Sequence, residues 1–181
     1  MYLLKFLIHR GFLYVANGSN TVLKVNIACC GPGTFVSSGI DNPQALAFDA
    51  SGNLYIFNYG NNSISKVSTS GVVSPFFLSG ISSPYALACD KKNNLYIQNY
   101  LQSTIGKILP KGTVNPFISS GIGQPTGLIF DEFGNLWVAT WGGSFYKVSF
   151  LAQVTSNPMT FKVAQPGSST KNLTICPSEL P

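Results

Sequence analysis

Between Pro43 and Phe77 apolar and polar positions alternate in blocks rather than with a helical period. Ala45-Leu46-Ala47-Phe48 is apolar throughout, the turn Asp49-Ala50-Ser51-Gly52-Asn53 interrupts it, and Leu54-Tyr55-Ile56 resumes it. A short unbroken apolar run bounded by turn residues predicts a strand buried on both faces. The glycine in the turn supplies the positive φ of a tight hairpin, and the aromatic and β-branched triplet predicts a second strand. A third strand ends at Lys66-Val67. After Gly71 a fourth, Val72-Val73-Ser74-Pro75-Phe76-Phe77, places Pro75 on an outer edge, because proline donates nothing to a ladder.

The block pattern repeats. Pro43, Pro84 and Pro125 stand 41 apart, as do Asp49, Asp90 and Asp131, and Leu95-Tyr96-Ile97 and Leu136-Trp137-Val138 follow Leu54-Tyr55-Ile56 at the same step. A poorer copy, Leu13-Tyr14-Val15-Ala16-Asn17, lies 41 upstream, and Pro116 repeats Pro75 as an expected edge residue. Short strands at a period of about 40 residues predict a propeller blade array. The expected fold is therefore all-β, a propeller or part of one, built of four-stranded antiparallel blades. The four units run over 1–39, 40–80, 81–121 and 122–164, with 165–181 as a loose tail of turn composition. The first unit is irregular. At a strict step Lys5 falls on the core slot of Leu46 and Ile8 on that of Asp49, so either the register slips by a residue or the opening strand is degraded. The last unit departs after Phe150, and Pro158 to Ala164 is its expected closing strand.

The pattern P-x-x-L-A-x-D-x-x-G-N-L-Y-V-x-N…I-x-K-V…G resembles NHL repeats and the wider group of six-bladed propellers, over about residues 12–148. Gly134-Asn135-Leu136-Trp137 and Ile105-Gly106-Lys107-Ile108 are similar to a run in streptogramin B lyases. The resemblance implies binding at the mouth of the axis, on the face of the unit-to-unit loops and the loops after each second strand. It implies little about activity, since propellers host unrelated functions. Such propellers usually hold six or seven blades and this chain at most four. Three arrangements follow: a closed ring, an assembly of two arcs, or a portion of a longer propeller. An open arc exposes blade faces and strand edges, which are templates for self-association.

Composition narrows the class further. At 45% hydrophobic, 9% charged, 18 Gly and 11 Pro, the chain is too apolar for disorder and suits turn-rich β structure. No apolar run reaches the roughly 18 residues of a membrane span, and MYLLKFLIHRG reads as a first strand rather than a signal peptide. The net charge of +5 reflects few acids rather than many bases. Lys24, Lys66, Lys107 and Lys147 recur once per unit and would lie along the flanks, which argues against a nucleic-acid partner. The four cysteines lack metal or redox spacing. Cys89 fits a small buried hydrophobe, and Cys176 could bridge to Cys29 or Cys30 only in an oxidising compartment. The sequons at Asn17, Asn61 and Asn172 matter only in a secreted chain.

Candidate binding chemistry collects at the loop face. Asn17, Asn58, Asn99 and Thr140 share one repeat position, and Tyr59, Tyr100 and Trp141 share the next. Amides and aromatics together can hydrogen-bond to and stack on a ligand, although the same residues can simply end strands and shield blades. Gln44, Tyr85 and Thr126 vary between repeats where the fold does not dictate the residue, which makes them candidates for specificity. Asp49, Asp90 and Asp131 read as turn residues. No catalytic set, metal ligand set or cofactor is recognised, and the single histidine, His9, sits at the opposite face. The expected role is a non-catalytic module for a protein or peptide partner. The alternatives are a degenerate lyase- or lactonase-like enzyme with an axial metal near Asn58 and Asn99, or a structural assembly protein.

Overall fold

The structure is a computed structural model that describes residues 5–29, 31–77, 81, 84–149, 159–165 and 168–175, the last two stretches by their backbone. Every regular element among them is a strand. The chain divides into two compact units, Met1–Pro84 and Tyr85–Pro181.

In the first unit β1 (Lys5–His9), β2 (Phe12–Asn17), β3 (Thr21–Asn26) and β4 (Gly33–Val36) form one antiparallel sheet in chain order. The next sheet is β5 (Pro43–Phe48), β6 (Leu54–Asn58), β7 (Ser63–Val67) and β8 (Val73–Phe77), with Pro75 on its edge strand as expected. The irregular start is a register slip. Ile8 faces Leu13 and His9 faces Phe12, whereas Phe48 faces Leu54 across the longer Asp49 turn. The first hairpin closes through Arg10 and Gly11, at φ 48° and 79°, the geometry of a two-residue turn matched to strand twist. Because that turn is one residue shorter, Phe6 takes the slot of Leu46 and His9 that of Asp49.

The two sheets meet through one face each. Tyr14, Ala16, Val22 and Val36 pack with Leu46, Leu54, Ile56 and Val67 in a common core. At about 25 cal/mol per Å² of apolar surface removed from water, this burial is what holds the blades together. The other face of the first sheet is open: Phe6 is 70% exposed, while its counterpart Leu46 is 8% exposed.

In the second unit β9 (Leu87–Cys89), β10 (Leu95–Asn99), β11 (Thr104–Ile108) and β12 (Val114–Ser120) form the next sheet, and β13 (Pro125–Phe130), β14 (Leu136–Thr140) and β15 (Phe145–Val148) a three-stranded one. Ala88, Tyr96, Ile105 and Phe117 share a core with Leu136, Val138 and Val148. Three expectations are corrected here. The stretch expected to close the last unit is a strand, β16 (Met159–Gln165), but it pairs with β17 (Ser168–Ile175) instead of β15. The supposed loose tail therefore holds a strand. β17 also pairs with β12 through Ile118 and Ser120, so β12 is not the edge that Pro116 suggested. Among the described residues the pairing stops short of Pro116, which has no amide to donate. An unpaired strand edge is a template for such addition, and Thr170, Thr174 and Ile175 are β-branched residues that suit it.

Candidate functional site

At the loop face of the first unit, the chain leaving β6 is tied to the segment entering β5. Tyr59 and Gly60 donate their amides to the carbonyls of Asn42 and Asp41, at 3.0 and 3.2 Å. Asn58 organises this junction. It is 1% exposed, its Oδ1 accepts the Asp41 amide at 3.1 Å, and its Nδ2 donates to Ser63 Oγ and Ser65 Oγ at 3.0 and 2.9 Å. Asn17 is tied locally, accepting from the Ser19 amide and the Thr21 hydroxyl. Gln44 donates to Asn42 Oδ1 at 3.1 Å. Tyr59, by contrast, is 49% exposed.

The second unit repeats the scheme. Trp141 donates its amide to the Gln124 carbonyl at 2.9 Å. Thr140 is buried and its hydroxyl donates to the Ser144 carbonyl at 3.1 Å. Asn99 reaches Thr104 Oγ1 at 3.3 Å, and the Thr126 hydroxyl donates to the Ala139 carbonyl at 3.4 Å. The amide position thus serves the strand ends, and the aromatic position faces outward. Trp141 is 76% exposed and Tyr85 44%. The Tyr85 and Tyr100 rings meet edge to face with centroids 5.3 Å apart, so Tyr85 and Tyr100 form one aromatic surface. Leu101, 67% exposed and next to Tyr100, belongs to this exposed set and was missed in the sequence. Its slot holds Gly60 and Gly142 in the neighbouring repeats, so the repeat gave no apolar signal there.

At the opposite end of the blades in each unit lie the Asp turns. Asp49, Asp90 and Asp131 each accept the amide and the side-chain Nδ2 of the Asn four residues on. Each also accepts a ring donor, from Tyr55, Tyr96 or Trp137, at 3.4, 3.2 and 3.0 Å. Burial pushes the Asp131 carboxyl up, but the hydrogen bonds of Asn135, Trp137 and Phe133 outweigh it and hold its pKa at about 2. The lysines lie over these rings on the flanks, with Nζ 5.3 Å from the Tyr55 centroid for Lys66 and 5.4 Å from that of Trp137 for Lys147.

His9 stacks on Phe48 at a centroid distance of 4.0 Å. Its pKa lies below the ordinary value through desolvation and the Arg10 charge, with Asp49 opposing both. Cys89 is half-buried rather than buried, and Cys29 is exposed. The expected bridge from Cys176 to Cys29 or Cys30 lies outside the described residues, which include neither Cys30 nor Cys176. Among the described residues no three His, Cys, Asp or Glu side chains gather, and no helix is long and apolar enough to cross a membrane.

Strands, meander order and hairpin turns of this kind define β-propeller blades. Solved structures agree. The chain is similar to one in a nidogen/laminin complex, at 17% identity over 80% of this chain and 59% of that one, with a TM-score of 0.69. It is similar to virginiamycin B lyase from Staphylococcus aureus, at 16% identity over 92% and 64%, with a TM-score of 0.62. It is also similar to a gluconolactonase from Xanthomonas campestris, at 14% identity over 75% and 52%, with a TM-score of 0.63. The chain thus spans between 52% and 64% of the length of these three neighbours. No family model matches the chain, and no curated protein does. At these identities the likeness establishes the fold and leaves the activity to the site.

Proposed function

We propose that the chain is a non-catalytic binding module of NHL type, which holds a protein or peptide through the aromatic residues of its loop face. The observation that carries this reading is the exposure of Trp141 and Tyr85, with Tyr100 packed on Tyr85, at strand ends whose own hydrogen bonds are already made. Exposed Trp and Tyr on a rigid scaffold are the side chains that most often dominate protein interfaces. The nidogen/laminin neighbour is a propeller solved in a protein complex, which supports the same reading. The enzymatic alternative draws on the lyase and gluconolactonase neighbours. Asn58, which it would need as a metal ligand, already uses its oxygen and its nitrogen within its own blade. Panning a random peptide library on the wild type and on Tyr85→Ala/Tyr100→Ala/Trp141→Ala tests the proposal. Sequences enriched on the wild type should be lost on the folded variant, and equal enrichment on both overturns the site.

A second reading, assembly with other copies, rests on a separate observation. In the first unit Phe6 and Ile8 are 70% and 63% exposed, and in the second Ile129 and Phe145 are 66% and 52% exposed. Each is an outward blade face of the kind that is covered elsewhere in the repeat. Light scattering of the wild type and of Phe6→Asp/Ile8→Asp tests it: a mass above the monomer that the substitution lowers is expected, and a wild-type monomer rejects it.

A further inference from the structure

The first blade departs from its successors at one place, and a cleft opens there. In the later blades a turn aspartate accepts the hydrogen of a Tyr or Trp whose ring lies beneath a lysine. Tyr14 and Lys24 keep those places, with Lys24 Nζ 5.7 Å from the Tyr14 centroid. The slot of the aspartate holds His9, because the turn is one residue shorter, and Arg10 follows it. One acid is thus replaced by an imidazole with a guanidinium beside it. Among the described residues the Tyr14 hydroxyl, the Arg10 guanidinium and the Lys24 ammonium make no hydrogen bond or ion pair. All three line a cleft of about 210 Å³ in the first unit, together with the rings of His9, Phe35 and Phe48.

We propose that this cleft binds a small aromatic carboxylate, whose carboxyl group takes the role that Asp49, Asp90 and Asp131 play in their own blades. The hydroxyl of Tyr14 and the cations of Arg10 and Lys24 are its donors, and hydrogen bonds between ionised partners are about twice as strong as neutral ones. The flat body of the ligand lies among the rings. Because sites for drug-sized ligands usually run from about 300 to 1,000 Å³, this volume selects a molecule of a single ring. The site is separate from the loop face and does not depend on the function proposed above.

Titration of the full chain with phenylacetate, followed by amide NMR, is the test. Saturable shifts at Arg10, Gly11, Tyr14 and Lys24 are expected, with phenylacetamide binding about tenfold more weakly for want of the charge-assisted contacts. Lys24→Met keeps the stem over the rings, and Arg10→Asn tolerates the positive φ of the turn, so both should fold and both should weaken phenylacetate several-fold. His9→Asp restores the carboxylate found in the other blades and should abolish binding. Tyr14→Phe, which removes only the hydroxyl, provides the same check should His9→Asp fail to fold. Equal affinity for the acid and the amide overturns the proposal. So does the absence of saturable binding, a preference for inorganic phosphate, or affinity unchanged in the folded variants.

Discussion

Trp137 donates its indole Nε1 hydrogen to the Asp131 carboxylate at 3.0 Å. This bond joins the start of a hairpin turn to the strand that leaves it, so it locks the turn that repeats in each regular blade. The pKa of Asp131, held at about 2 against an ordinary value of 3.8, sets the pH range of its effect. A depressed carboxylate stabilises the fold above its unfolded pKa and loses that contribution as pH falls through the folded one. Asp131→Ala should therefore melt below the wild type at pH 7, and the gap between the two should close between pH 4 and pH 2. Thermal melts of both proteins across that range check it, and a constant gap would contradict the assignment.

His9 gives a second and separate pH window. Its pKa is lowered from 6.5, first by desolvation against Phe48 and then by the Arg10 charge, with Asp49 opposing. A histidine kept neutral by the fold favours the folded state above its unfolded pKa, and that stability is lost as pH falls through the lowered value. Wild-type stability should start to fall below pH 6.5, while His9→Phe, which keeps a ring against Phe48, should stay flat until the carboxylates titrate. Chemical denaturation at pH 7.5 and pH 5 separates the two outcomes.

Gln98 carries a liability inside the second unit. It is fully buried, and among the described residues neither its Nε2 nor its Oε1 has a hydrogen-bond partner. The same repeat slot holds Phe57 and Ala139, so the blade does not require an amide there. An unsatisfied buried polar group costs about 1–3 kcal/mol, and methionine is close in shape. Gln98→Met should stabilise the chain by an amount of that order, read as a shift in urea midpoint at constant slope. A destabilised variant would show that the amide has a partner in solution.

The blades were legible in the sequence because the 41-residue step marks which apolar runs recur, and an unbroken apolar run between turns is buried on both faces, as β6 is. Tyr55, Tyr96 and Leu136 all sit in cores at the positions the repeat assigns. The register slip was visible only as two alternatives, because turn length is set by local geometry at Arg10-Gly11 and not by periodicity. The β16–β17 hairpin was not legible because it follows no repeat. Its evidence was local, in the Pro166-Gly167 turn signal and the β-branched residues after it. At the loop face the sequence placed the aromatic position outward at Trp141 and Tyr59. It could not tell that Asn58 is consumed by Asp41, Ser63 and Ser65, since those contacts join loops distant in the chain.

Those contacts set up a pair of glycine substitutions with opposite outcomes. A Cβ at Gly60 would overlap the Asp41 carboxyl group. The Asp41 backbone is held, its amide by Asn58 and its carbonyl by the Gly60 amide, so only a rotation of the Asp41 side chain out of its present rotamer could relieve the overlap. Gly142 fills the same repeat slot, with open space where its Cβ would be and no positive φ, and Leu101 shows that the slot accepts a side chain. Gly60→Ala should therefore destabilise the chain by about 1–3 kcal/mol through overpacking. Gly142→Ala should be neutral or stabilising by about 0.5 kcal/mol, through the lower entropy of the unfolded chain. Denaturant midpoints of the two variants decide the matter. If both are neutral, the Asp41 side chain rotates away at no cost, and the junction is held by the Asn58 amide and backbone bonds alone.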